Sequence, residues 1–177
     1  MQNPLEIFMT DITNNIPELK ESLRLGMRRL AAGVCVISTQ VGGQRYAMTA
    51  SSVTSVSDEP ASLLVCVNQE ASMYSLLAMG QPFVINVLSQ AQQSVSNICA
   101  ARDTGEERFS CGDWQNDDNG MPYLADAQVN FFCRVDNDDY RYGTHQIVIG
   151  CLEKAIVSDD AVNPLVYVNG AYAAVTG

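Results

Sequence analysis

Positive charge is scarce in this chain, and histidine scarcer. Ten lysines and arginines face twenty aspartates and glutamates, giving a formal net charge of −10, and His145 is the single histidine. With no basic run to offset that excess, neither nucleic acid nor an anionic lipid surface is expected as a partner. No stretch approaches the ~20 consecutive apolar residues needed to span a bilayer. Residues 1–15, MQNPLEIFMTDITNN, show no basic leader followed by an apolar run, so a cytoplasmic location is expected.

Metal and nucleophile signatures are missing too. The six cysteines, Cys35, Cys66, Cys99, Cys111, Cys133 and Cys151, never form a CxxC pair. Most sit in apolar strand contexts such as GVCVI, LLVCV and FFCRV, where a reduced cysteine acts as a small hydrophobe. With one histidine available, no metal site is expected. There is no GxGxxG or P-loop to cradle phosphate and no GxSxG nucleophile elbow. The acidic residues Asp136, Asp138 and Asp139 read as a solvated turn rather than an acid/base pair.

What the chain does have is the material of one folded domain. Its 177 residues are 47% hydrophobic and 17% charged, enough to bury a core without disulfide staples. Residues 1–15 read as a flexible or partner-clasping arm, and 16–177 as the domain. Pro17 suits a first helical turn, and Leu19, Leu23, Met27 and Leu30 recur at helical spacing before Gly33. Val34–Ser38, closed by Gly42-Gly43, predicts a hairpin into a strand from Arg45 to Ser57. A short helical segment is expected from Met73 to Met79, with Ser72 either seating a phosphate at its start or serving only as its cap. Ser89 to Gln92 has capping-box spacing ahead of a helix with Val95, Ile98 and Cys99 on one face. Residues 102–122 are polar, acidic and rich in Gly and Asp, yet hold Phe109 and Trp114. They read as a loop over a site or against a partner subunit. Strands are expected at 83–88, 129–135, 145–157 and 164–168, with a turn from Asp136 to Tyr140. Six or seven strands, about three helices and links too short for parallel crossovers predict an antiparallel sheet closed as a barrel.

The stretch from Arg45 to Asn68, RYAMTASSVTSVSDEPASLLVCVN, organises the rest. Small hydroxyls lie among Ala50, Val53 and Val56, where a half-exposed strand would alternate more cleanly. Either this is an ordinary hairpin with a Ser/Thr-rich face, or its backbone is approached closely by a planar ligand. A turn follows at Asp58-Glu59-Pro60.

Five stretches in register give the chain a family likeness: GVCVIST (33–39), AMTASSVTSVSDEPASLLVCVN (47–68), PFVINVLSQAQ (82–92), GTHQIVIG (143–150) and PLVYVNGAY (164–172). In these it resembles the flavin reductase family that serves two-component monooxygenases. The resemblance implies a mainly β (α+β) fold, an antiparallel Greek-key split barrel of the FMN-binding type with about three flanking helices. It implies an NAD(P)H:flavin oxidoreductase that passes hydride from a nicotinamide to FMN or FAD and supplies reduced flavin to a partner monooxygenase. The absence of an arginine cluster for a 2′-phosphate favours NADH over NADPH. By the same resemblance, Thr49, Ala50, Ser51, Ser52 and Val53 lie against the flavin. Cys66, Val67, Asn68, Ser72, Met73 and Asn86 complete the cofactor set. His145, the catalytic candidate, and Tyr172 border the nicotinamide. Thr144 stands where the family usually has an acidic residue, and Asn169 where it often has arginine. A homodimer is also implied. The alternative is a non-enzymatic flavin-binding or electron-transfer module on the same barrel.

Overall fold

The computed structural model describes residues 16–101 and 105–175; the arm expected at residues 1–15 lies outside them. In chain order come α1 (Ile16–Met27), β1 (Ala32–Gly33), β2 (Cys35–Val41), β3 (Gln44–Ala50), β4 (Thr54–Asp58), β5 (Ala61–Asn68) and β6 (Pro82–Val87). Then follow α2 (Gln93–Ala100), β7 (Trp114–Asn116), β8 (Pro122–Leu124), β9 (Val129–Tyr142), β10 (His145–Val157), β11 (Val166–Val168) and β12 (Ala171–Ala173). Seven strands form one sheet in the order β3-β2-β6-β9-β10-β5-β4, and every pairing in it is antiparallel.

Turn chemistry fixes the hairpins. Gly42 and Gly43 have φ of 60° and 80°, the left-handed pair that matches the twist of two flanking strands, and Val41 pairs with Gln44 across them. Two-residue periodicity then sorts side chains to opposite faces. On β2, Cys35 and Ile37 enter a core shared with Val65, Val67, Phe83, Ile85 and Val148. Val34 just before it and Val36 enter a second core with Val95, Cys99, Leu124 and Leu165. With both faces covered, β2 reads as an apolar run rather than an alternation. Close packing sets one glycine: a Cβ at Gly150 would stand 2.5 Å from Phe83 Cζ.

Several expectations are corrected. The described residues contain two α-helices rather than three. Residues 73–79 make a single 3₁₀ turn, Tyr74–Leu76, because the backbone leaves the helical region at Leu77, where φ is −92° and ψ 57°. Met73, not Ser72, is its N-cap residue, without a side-chain cap bond, so the helix-start case for a phosphate there falls. The strand expected from Arg45 to Ser57 breaks into β3 and β4. Asp136 to Tyr140 is no turn, because β9 runs through it to Tyr142 and reverses only at Gly143-Thr144. The 102–122 segment contains part of the ribbon β7–β8. The first helix stops at Met27, where bonds to residues three back replace helical ones: Arg29 N–H to Gly26 and Leu30 N–H to Met27. The Ser89–Gln92 capping box is present as expected and leads through a 3₁₀ turn into α2. No helix of the described residues is long and apolar enough to cross a membrane.

Candidate functional site

A cavity of about 670 Å³ opens where β3, the loop after β5, α2 and the β11–β12 hairpin converge. That volume lies within the ~300–1,000 Å³ usual for small-molecule sites. Alternation along β3 and the residues after it decides what the cavity sees. Thr49 and Ser51 line it, while Ala50 between them points into the core. Ser52 takes a different task. Its Oγ donates to the Cys66 carbonyl at 3.1 Å and accepts from the Cys66 N–H at 3.2 Å, stitching the bend after β3 to β5.

Opposite β3, α2 presents Ser96, Cys99 and Ala100. Thr49 Oγ1 donates to the Ser96 carbonyl at 2.7 Å, and Ser96 Oγ hydrogen-bonds Tyr172 Oη at 2.8 Å. Strand, helix and hairpin are therefore linked through Ser96, whose carbonyl holds β3 and whose hydroxyl holds β12. Tyr172 stands opposite Tyr167 across the β11–β12 pair, their rings edge to face with centroids 5.4 Å apart. The turn between them is Asn169-Gly170, with φ of 53° and 78°. An arginine would be strained at that left-handed position, where asparagine is favoured.

The third wall is the loop after β5, where Asn68, Glu70, Ala71 and Ser72 line the cavity. Asn68 Oδ1 accepts the Glu70 N–H at 2.9 Å, holding the loop's first turn. Arg108, from the 3₁₀ segment Gly105–Phe109, closes the remaining side. Its guanidinium donates to the carbonyls of Ala47 on β3 and Ala101 after α2. Arg45 fixes the same segment, pairing with Glu106 and lying 4.2 Å over the Phe109 ring. Burial pushes the Cys99 thiol up to about 12, so it stays protonated and is no nucleophile at neutral pH.

Of the residues expected to hold the flavin, Thr49, Ser51, Asn68 and Ser72 line this cavity, as does Tyr172, expected on the nicotinamide side. Ala50, Val67 and Met73 are core residues, and Val53 packs against the same core. Asn86 is fully buried with its amide spent elsewhere: its NH₂ donates to Val36 O and Ser38 Oγ, and its oxygen accepts from Leu124 N–H and Asn130. His145 does not line the cavity. It is exposed beside it, paired in register with Asn68, its Nδ1 bonded to Thr144 Oγ1 at 2.9 Å. Sequence reading missed Ser96, Ala100, Tyr167 and Arg108. The Asn169-Gly170 dipeptide was a legible sign of the Tyr167–Tyr172 hairpin, and Arg108 belongs to the segment expected to lie over a site.

Residues 27–176 match the flavin reductase like domain. The reductase component of an FADH(2)-dependent resorcinol hydroxylase from Rhizobium sp. is 41% identical over 166 residues, spanning 92% of each chain. An FMN reductase (NADH) RutF of Stutzerimonas stutzeri is 36% identical over 156 residues, 88% of each chain. Among solved structures, an NADH:FAD oxidoreductase of Streptomyces globisporus in complex with NAD and FAD fragments superposes with a TM-score of 0.79. It is 27% identical, and the match covers 89% of this chain and 93% of that one. The domain match over residues 27–176, with relatives 36% and 41% identical along nearly their whole length, places this protein in the flavin reductase family.

Proposed function

We propose that the chain is an NADH-dependent flavin reductase whose 670 Å³ cavity takes the flavin, and that it supplies reduced flavin to a partner oxygenase. The observation that carries this reading is the Thr49–Ser51 seam: short hydroxyl side chains floor a cavity that bulky residues on those positions would fill. The donor set fits a flavin. Ser51 and the loop 68–72 offer small polar groups to the ring edge and ribityl hydroxyls, and the Arg108 guanidinium lies on the wall that suits a phosphate. A bound flavin supplies the redox chemistry, accepting a hydride from the nicotinamide. The protein's part is placement. Thr49, tied to Ser96, keeps α2 at a fixed distance from β3, so the slot holds its width. Tyr167 and Tyr172 give the cavity an aromatic wall, and their side chains would help position a nicotinamide beside the bound flavin. His145 at the rim offers a hydrogen bond to the nicotinamide amide.

The seven-stranded sheet is read as an FMN-binding split barrel, and the active form as a homodimer in which a second copy covers the open side of the cavity. The test is steady-state oxidation of NADH by the purified full chain with excess FMN or FAD. Continuous turnover is expected. Flavin binding, seen as fluorescence quenching, without NADH oxidation would sink the enzyme in favour of a carrier module.

A further inference from the structure

The first helix is apolar on a face that covers nothing among the described residues. Ile16, Leu19, Leu23, Met27 and Leu30 form one stripe at helical spacing, and they are between 52% and 66% exposed. No residue of α1 is buried. A helix of 12 residues has little stability in water without tertiary packing of that face, so a cover is required. The described contacts tether only its end: Asn169 N–H donates to the Arg28 carbonyl at 2.7 Å.

A surface of matching character lies elsewhere. Val87, Val129, Phe131, Val157, Val162 and Pro164 line an apolar groove of about 340 Å³. Val157 and Val162 are 68% and 90% exposed. Asp160 is the only charged side chain lining it, with Asp159 next in sequence.

We infer that α1 of one copy seats in the Val157–Val162 groove of a second copy, and that the exchange is reciprocal. This rests on the homodimer reading above and names its interface. Charge complementarity picks the occupant. Segment 16–30 carries Lys20, Arg24, Arg28 and Arg29 against Glu18 and Glu21, a positive balance, in a chain whose formal net charge is −10. Arg24 is held by Glu21 on its own helix, which leaves Lys20, flanking the apolar stripe on the same side, to meet the Asp160 rim as the stripe enters the groove. A twofold arrangement makes each contact twice and covers both helices and both grooves at once.

The test is sedimentation equilibrium of the full chain at micromolar concentration, with Leu23→Asp, Val162→Asp, Lys20→Glu and the double variant Lys20→Glu/Asp160→Lys. All the positions are exposed, so circular dichroism melting of each variant should match the wild type. The wild type should be a dimer, and Leu23→Asp and Val162→Asp should each weaken it at least a hundredfold. Lys20→Glu should weaken it severalfold, and the charge-swapped double variant should recover part of the loss. A dimer that Leu23→Asp and Val162→Asp leave unchanged overturns the pairing while the homodimer stands. A monomeric wild type overturns both. Binding to the oxygenase component or to anionic vesicles that Leu23→Asp abolishes, with the dimer unchanged, assigns the helix to that occupant and also overturns the pairing. Flavin quenching on the same samples reads the cavity separately.

Discussion

Asn86 and Ser51 are both polar residues in or beside the strands of the same sheet, and both fit a cofactor-binding pattern. The Asn86 side is closed. Every hydrogen-bonding position of its amide is used, by Val36, Ser38, Leu124 and Asn130, at distances of 2.8 to 3.0 Å. The network pins β2, β6, β8 and β9 in one register, which is how buried polar groups lend specificity to a core. The Ser51 side is open, facing a cavity rather than a partner strand. One region uses polarity to hold the sheet together, and the other keeps it available. The difference is what faces the residue, which the residue's own identity does not tell.

That contrast can be broken at measurable points. The largest effect is expected from Asn86→Ala, which strands the Leu124 N–H and the Asn130 amide. Stability should fall by about 3 kcal/mol in denaturant unfolding, with flavin affinity of the folded fraction changed less than about twofold. Ser51→Phe should invert the pattern. Flavin binding should weaken about 100-fold by fluorescence titration, near 2.7 kcal/mol, while the flavin-free melting temperature stays put. A comparable loss of stability in Ser51→Phe would show that the residue is structural after all. Gly150→Ala tests the closed side again. Its new Cβ meets Phe83, and about 1–3 kcal/mol of stability should be lost, the range for overpacked cores. The smallest change is Tyr172→Phe, which breaks the 2.8 Å link to Ser96. It should cost about 1 kcal/mol or less, read as a severalfold rise in KM with little change in melting.

The hairpins, the capping box and the antiparallel sheet were legible because their causes are local: Gly42-Gly43, the Ser89–Gln92 spacing, and alternation along β9 before Asp136. The 73–79 helix was misjudged because a serine ahead of a short apolar run is a weak local signal, and the backbone leaves the helical region already at Leu77. The acidic run at 136–139 looked like a turn since solvated carboxylates are common in turns. In the fold the run belongs to β9, beyond the end of its pairing with β6 at Arg134 and beside β10 alone, and Asp136 and Asp139 are exposed there. Arg108 was invisible as a site residue because its place depends on Arg45 and Phe109, about sixty residues apart in the chain.

The sequence by itself determined the strand order's raw material, the reduced and apolar use of cysteine, and the family, since each is written in short runs of neighbouring residues. Tertiary structure alone decided which of those residues meet the cavity. A strand turns its side chains to both faces, and only the packing of helix, loop and hairpin against it settles which face closes into core and which stays open to a ligand.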